Sequence, residues 1–397
     1  TQQDYNELEI IKVLPERRLA AFDLEEGTPL WHHAPPRDWD GDSGTFAERF
    51  TVVSPPVIHA GRALVQCART RGRVELHVAA FDLRTGELAW STPVITGQRQ
   101  LNMFGRMTEE FVAPPVVCSP DGRAFVLTQL GVVACLDAFS GAPLWETSYE
   151  QVAMTSGRWR RAGSMATVWR NGPPIVHEDA LLAAPYDSPH LMAFDARSGA
   201  LRWSMRQTRL CLAADPTGRT REVNQLLGVR KGLLVLGGER VAAFEAATGS
   251  LASQPPARLA WAFPAVGADG LANRWLPAPV LSGRSVLVPD DRELVELDLV
   301  TGRRLALLPW PTSDGRRLDG NLLVDDGAFF IVDGSGARGY FEWEGLVERA
   351  RTRLAAAPGD AAATLRLASL LTRRARSLHA RRREARDLVE AGRLLGE

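Results

Sequence analysis

One pattern limits this chain more than any other: an acidic residue, a glycine four positions on and a tryptophan eight positions on, returning along the sequence. Ala21-Phe-Asp-Leu-Glu-Glu-Gly-Thr-Pro-Leu-Trp31 is followed by Ala80-Phe-Asp-Leu-Arg-Thr-Gly-Glu-Leu-Ala-Trp90. Cys135-Leu-Asp-Ala-Phe-Ser-Gly-Ala-Pro-Leu-Trp145 and Ala193-Phe-Asp-Ala-Arg-Ser-Gly-Ala-Leu-Arg-Trp203 keep the same register. Two further copies, at Glu245 with Gly249 and at Asp298 with Gly302, keep the turn but place Ser253 and Ala306 where tryptophan is expected. The acidic anchors Asp23, Asp82, Asp137, Asp195, Glu245 and Asp298 are 59, 55, 58, 50 and 53 residues apart. A repeat of that length marks one supersecondary unit that buries its apolar faces only by stacking on its neighbours.

Each unit reads as strands. Pro55-Pro56-Val57-Ile58, Gly61 and Ala63-Leu64-Val65 lead to the second Asp; Pro114-Pro115-Val116-Val117 and Phe125-Val126-Leu127 lead to the third; Pro173-Pro174-Ile175-Val176 and Leu181-Leu182 lead to the fourth. Short β-rich runs bounded by Gly and Pro are the strand signature. After each Asp, a Thr/Ser-Gly pair suits a tight hairpin, since Gly tolerates positive φ and the carboxylate can accept from turn amides. The tryptophan then opens the outer strand, where its ring can fill the gap between adjacent sheets. Four strands per 50 to 60 residues predict an all-β propeller, and the repeating Asp, Gly and Trp differ from the Gly-His and Trp-Asp signature of WD40 units.

With those residues in view, the chain resembles the tryptophan-docking repeat family of quinoprotein dehydrogenases and of the outer-membrane assembly lipoprotein BamB, over residues 5 to 343. The resemblance implies an eight-bladed propeller. Six motif copies mark six blades, and Asn321-Leu-Leu-Val324, Ala328-Phe-Phe-Ile-Val332 and Arg338-Gly-Tyr-Phe-Glu-Trp343 begin a seventh, so an eighth is expected upstream of Thr1 in a longer protein. Residues 1–343 are thus read as the propeller domain and 344–397 as a helical tail. In the tail Leu346, Val347, Ala350 and Leu354 share one helical face, Pro358-Gly359 breaks the helix, and Asp360 can cap a second helix carrying Leu365, Leu367, Ala368 and Leu371. That segment resembles a tetratricopeptide repeat. From Gly345 onward it holds twelve arginines and six acids, a net +6, read as a solvated helical face because no aromatic residue is interleaved.

The whole chain has a formal net charge of +0, which excludes a global pull toward nucleic acid or acidic lipid, and no nucleic-acid partner is expected. No run of about 18 apolar residues is present, so nothing reads as membrane-spanning, and peripheral attachment would come from an upstream segment. An enzyme of the quinoprotein kind needs pyrroloquinoline quinone, calcium and, in typical members, a vicinal Cys-Cys pair. Cys67, Cys118, Cys135 and Cys211 stand far apart. Asp290-Asp291 and Asp325-Asp326 sit at expected hairpin turns, the histidines show no ligand spacing, and neither Ser188 nor Ser282 lies in a G-x-S-x-G elbow. No catalytic, cofactor or metal site is therefore assigned.

Three connections are longer than hairpins require and carry residues suited to protein contacts: Trp39 in 31–50, Met103 and Phe104 in 98–110, and Trp159, Arg160, Arg161 and Trp169 in 151–170. Packing of these aromatics within their own loops accounts for them equally well. The resemblance implies a non-catalytic scaffold for protein partners in the cell envelope or periplasm. A quinone-dependent alcohol or sugar dehydrogenase is the alternative, and a sensor module of a larger protein the second; a cytoplasmic location stays open.

Overall fold

The computed structural model describes residues 17–23, 27–33, 45–70, 73–97, 111–151, 169–218, 223–264, 278–289, 293–309, 321–325, 328–333, 336–341, 343–376 and 384–395. Two compact units divide the chain, residues 1–272 with 300–302 and residues 273–299 with 303–397.

The first unit begins with β1 (Leu19–Phe22) paired to β2 (Pro29–His33), followed by the short helix α1 (Phe46–Arg49). The next sheet holds β3 (Thr51–Val52) and β4 (Val57–His59), both on β5 (Arg62–Thr70), then β6 (Val74–Asp82) and β7 (Leu88–Gly97). A third comprises β8 (Val117–Cys118), β9 (Arg123–Leu127), β10 (Val132–Asp137) and β11 (Pro143–Ser148). The fourth has β12 (Ile175–His177), β13 (Ala180–Ala183), β14 (His190–Asp195) and β15 (Leu201–Arg206), closed by helix α2 (Gln207–Ala214). The fifth has β16 (Val223–Arg230), β17 (Leu233–Gly238), β18 (Val241–Ala246) and β19 (Pro256–Phe263). In the second unit, β20 (Val280–Ser282), β21 (Ser285–Pro289), β22 (Glu293–Asp298) and β23 (Arg304–Pro309) form one sheet, and β24 (Asn321–Asp325), β25 (Ala328–Asp333) and β26 (Gly336–Phe341) another. Every sheet is an antiparallel meander, the blade of a β-propeller.

The middle strands of a blade are apolar on both faces because neighbours cover both. Phe125, Val126, Leu127, Val133, Cys135 and Leu136 are all buried. The outer strand is anchored by its tryptophan. Trp31, Trp90, Trp145 and Trp203 stand opposite Ala21, Ala80, Cys135 and Ala193, and in each pair the residue before the tryptophan is skipped in the ladder. That recurring bulge bends the outer strand and re-aims the ring out of its own sheet. The ring then rests on the turn glycine of the next blade. A Cβ added at Gly141 would lie 2.5 Å from Trp90, and one at Gly199 would lie 2.5 Å from Trp145, both glycines having φ +75. Only glycine supplies both that conformation and that approach. Thr92 and Thr147, two residues beyond their tryptophans, donate hydroxyl bonds of 2.7 Å to the carbonyls of Gly141 and Gly199.

The fifth blade corrects the sequence reading. Its docking residue is not missing: Trp261, opposite Ala243 across the same bulge, is 8% exposed and lies against Gly302, where an added Cβ would meet the ring at 2.5 Å. The β18–β19 hairpin has an insertion that displaces the tryptophan in sequence without displacing it in register. The insertion also changes the preceding junction, since the Trp203 indole donates to the Leu251 carbonyl at 3.0 Å within that longer turn. At β23, Ala306 does occupy the tryptophan register, opposite Glu296.

The Asp of the motif builds its hairpin. Asp82 Oδ1 accepts from the Arg84 and Thr85 amides, and Asp137 and Asp195 repeat this with Phe139 and Ser140 and with Arg197 and Ser198. The amide of Thr85 holds the Asp82 carboxyl below its ordinary range, the amide of Ser140 does so for Asp137, and the Arg202 side chain, then Ser198, for Asp195. Depressed carboxylates contribute stability above their unfolded values near 3.8 and lose it as pH falls through the lower folded values. The melting temperature should therefore hold from pH 7 to 5 and drop below pH 4. Asp137→Asn should lower it at pH 7 while narrowing the difference between pH 7 and pH 3, as scanning calorimetry at the two pH values would register.

In the second unit, α3 (Trp343–Ala356), α4 (Ala361–Arg376) and α5 (Glu384–Leu395) pack consecutively around Val347, Leu367, Ala368, Leu371 and Ala391. Asp360 caps α4 as the sequence suggests, accepting from the Ala362 and Ala363 amides at 2.8 and 3.1 Å. Leu365 departs from that reading: it faces outward, on the side of α4 shared with Arg366 and Arg373. Arg351 on α3 forms a two-armed ion pair with Glu390 on α5, at 2.5 Å in its shorter arm.

Candidate functional site

Meander topology decides where binding residues can gather. Turns between first and second strands and between third and fourth lie at one end of every blade; the turn between second and third strands, and the connection from an outer strand to the next blade, lie at the other. All three long connections of the first unit leave and rejoin the sheets at this second end. Residues 34–44, 98–110 and 152–168 lie outside the described residues, and with them Trp39, Met103, Phe104, Trp159, Arg160 and Arg161.

Trp169 is described, and its position corrects the reading of it as a partner-contact residue. It is 1% exposed and belongs to a core cluster with Leu182, Leu191, Trp203, Leu210 and Val223. The ring packs in the core shared by the fourth and fifth blades, so no partner reaches it. Sequence gave no warning, because an aromatic residue at a loop end looks the same whether it turns in or out.

The stems of the 152–168 connection are held by a buried polar network. On the incoming side, the Tyr149 hydroxyl donates to Asp187 Oδ1 at 2.7 Å, and the Gln151 side-chain amide donates to Oδ2 at 2.8 Å. The Gly131 amide adds a third bond to Oδ2 at 3.1 Å, and Asp187 itself is only 4% exposed. A buried carboxylate is tolerable when its lone pairs are filled in this way. Burial, reinforced by the Asp187 charge, holds the Tyr149 hydroxyl well above its ordinary range, so it stays a donor. On the outgoing side, the Arg170 amide donates to the Asn224 carbonyl at 2.7 Å, and the Gln129 side-chain amide to Asn171 Oδ1 at 3.0 Å. Gln129 also accepts from the Tyr186 amide at 2.8 Å, at a backbone φ of +58 that a non-glycine residue adopts only when its surroundings over-determine it.

Glutamine amides recur at the blade junctions. Gln66 donates to the carbonyls of Pro114 and Leu127 at 2.7 and 3.3 Å, tying the second blade to the third. Gln207 donates to Val223 at 3.0 Å between the fourth and fifth. The three junctions from the second blade to the fifth are therefore each fastened near the outer rim by a tryptophan and at this end by an amide. None of these glutamines forms a motif in the sequence, and the only hint is a fully polar side chain inside an apolar repeat.

None of the four cysteines forms a disulfide, and burial pushes Cys67 and Cys135 up to about 12 and Cys118 to about 11, so these three stay protonated.

The family described as outer membrane protein assembly factor BamB matches residues 5–156, 77–208 and 153–384. The chain belongs to this BamB family. BamB from Moraxella catarrhalis is 17% identical over 81% of this chain and 90% of that one, with a TM-score of 0.45. Quinohemoprotein alcohol dehydrogenase from Comamonas testosteroni is 14% identical over 81% of this chain, with a TM-score of 0.50, and this chain spans 61% of its length. A europium-containing methanol dehydrogenase is 12% identical over 71% of this chain and 62% of that one, at a TM-score of 0.47. No curated protein matches the sequence. The shared feature is the propeller fold of the BamB family and of quinoproteins.

Because enzymes share this fold, a calcium ligand set bears directly on function. The described residues supply none. Among the described residues no three His, Cys, Asp or Glu side chains converge, and Asp187, the buried carboxylate on the connection face, has both oxygens filled by protein donors. Calcium needs six or more oxygens with lone pairs to give. No helix among the described residues is long and apolar enough to cross a membrane.

Proposed function

We propose that this chain is a non-catalytic propeller scaffold of the cell envelope, which binds a protein component of outer-membrane assembly at the end of the blades where the long connections emerge. The observation that carries this reading is the polar network around Asp187. It holds a stem of a connection and occupies both oxygens of the Asp187 carboxylate with protein donors. A rigid frame carrying longer connections is the arrangement by which repeat folds present contact residues. Trp39, Met103, Phe104, Trp159, Arg160 and Arg161 are the proposed contacts, of the residue types that dominate interface energetics.

Two measurements test this. A photo-crosslinking residue at Phe104 or Trp159 should give a discrete adduct with an outer-membrane assembly component in cells, whereas one at Arg84, in a turn at the opposite end, should give none. Reconstitution with pyrroloquinoline quinone and calcium should yield neither stoichiometric binding nor dye-linked oxidation of alcohols or aldoses. Saturable oxidation would sink the scaffold reading in favour of the dehydrogenase; equal crosslinking at both ends would sink the assignment of the face.

A further inference from the structure

Helix α1 rests on the second blade through an aromatic cluster that contains a histidine. The Phe46 and Phe50 rings stack at 4.5 Å, and the His77 ring on β6 lies 4.4 Å from Phe50 and 5.7 Å from Phe46. Phe50 is buried with Leu19, Val65, Cys67 and Phe81. His77 Nδ1 is buried without a hydrogen-bond partner, and so is Arg49 Nε on the helix. Protonating this ring would place a second donor in a site that offers Nδ1 no acceptor.

The charged groups acting on His77 come from three elements. Glu75 on its own strand favours the cation; Arg69 on β5 and Arg49 on α1 oppose it. Cys67, directly opposite on β5, is a neutral thiol, and β7 opposes the histidine with Pro93. Glu75 is already paired with Arg69 at 2.7 Å, and the Arg69 guanidinium also lies 5.5 Å from the Phe50 ring.

We propose that His77 is a proton-sensitive catch for α1: the neutral ring seats Phe46 and Phe50 on the blade, and protonation releases the helix. The catch sits immediately before β3, where the chain enters the second sheet. Burial, the largest influence, together with the two arginines, outweighs Glu75 and holds the His77 imidazole below its ordinary range. The neutral form is thus the folded form. A group depressed in this sense gives full stability above about 6.5 and loses it as pH falls toward the folded value. The Glu48 carboxylate, which accepts from the Thr45 amide and hydroxyl at 2.6 and 2.9 Å, also titrates at this helix, but below 4.5, outside that window.

Hydrogen exchange of the intact chain tests the catch through the amides of Arg49 and Phe50, which bond within α1 to Thr45 and Phe46. After correction for intrinsic rates, their protection should fall as pH drops from 7.5 to 5.5, by up to about tenfold per pH unit between about 6.5 and the lower His77 midpoint, while the β9 and β10 amides stay constant. His77→Gln should abolish the pH dependence. Glu75→Gln, which removes the one charge favouring the cation, should lower the His77 midpoint and extend the loss of protection to lower pH. Unchanged protection in the wild type, a His77→Gln variant that keeps the dependence, or an NMR midpoint for His77 at or above 6.5 would each overturn the proposal.

Discussion

Trp261→Ala should destabilise the protein by about 3 to 5 kcal/mol, the cost of deleting a large buried ring that its surroundings cannot collapse to fill. The ring is 8% exposed and lies against Gly302 at the distance that excludes any side chain there. Urea unfolding followed by circular dichroism would measure the loss. Ser253→Ala provides the contrast, because counting eight residues from Glu245 points to Ser253 as the docking position. Its hydroxyl only closes the local turn, donating to Ser250 at 3.0 Å, and its removal should cost about 0.5 kcal/mol. Comparable losses for the two variants would mean that the strand register, and with it the docking assignment, is wrong.

The second large effect is expected at Asp187. Alanine there removes the only acceptors described for the Tyr149 hydroxyl, the Gln151 amide and the Gly131 amide; water can replace the bond of the exposed Gln151, but the half-buried Tyr149 and the buried Gly131 then face no described partner. Leaving one such donor unsatisfied costs about 1 to 3 kcal/mol, so Asp187→Ala should lose at least about 2 kcal/mol in the same unfolding assay. Asp187→Asn behaves differently. Its carbonyl can still accept from Gln151 and Gly131, and its amide can donate to a reoriented Tyr149 hydroxyl, which limits the loss to about 1 kcal/mol. It also removes the charge that helps hold the Tyr149 hydroxyl proton, so the tyrosine should ionise at lower pH than in the wild type, read as absorbance at 295 nm during alkaline titration. If Asn were as damaging as Ala, the carboxylate's charge rather than its acceptor geometry would be what the network needs.

How much of this was legible depends on how local each cause is. The Asp, Gly and Trp repeat could be read because its three requirements fall within nine residues of one hairpin: a carboxylate for the turn amides, a positive φ, and a ring beyond the bulge. Trp261 escaped because docking is fixed by strand pairing, whereas the sequence shows only chain spacing, and the β18–β19 insertion separates the two. The Asp187 network was invisible for a related reason. Asp187 meets Tyr149, Gln151 and Gly131 from 38, 36 and 56 residues away, and no local pattern announces such meetings. Trp169 shows the limit of residue type alone. Its chemistry suits an interface and a core equally, and only the fold distinguishes them.

The fifth blade's longer hairpin also says something about tolerance. Between Glu245 and Trp261 the chain takes a detour absent from its siblings, yet the tryptophan keeps its seat and the preceding ring finds a new carbonyl at Leu251. The hairpin end of this blade thus accommodates a longer loop while Trp261 and Trp203 both stay engaged. At the opposite end Asp187, Gln129 and Gln207 fix where connections start and stop, so length varies only between those stems. One end of the repeat lengthens within its turn, the other between anchored ends.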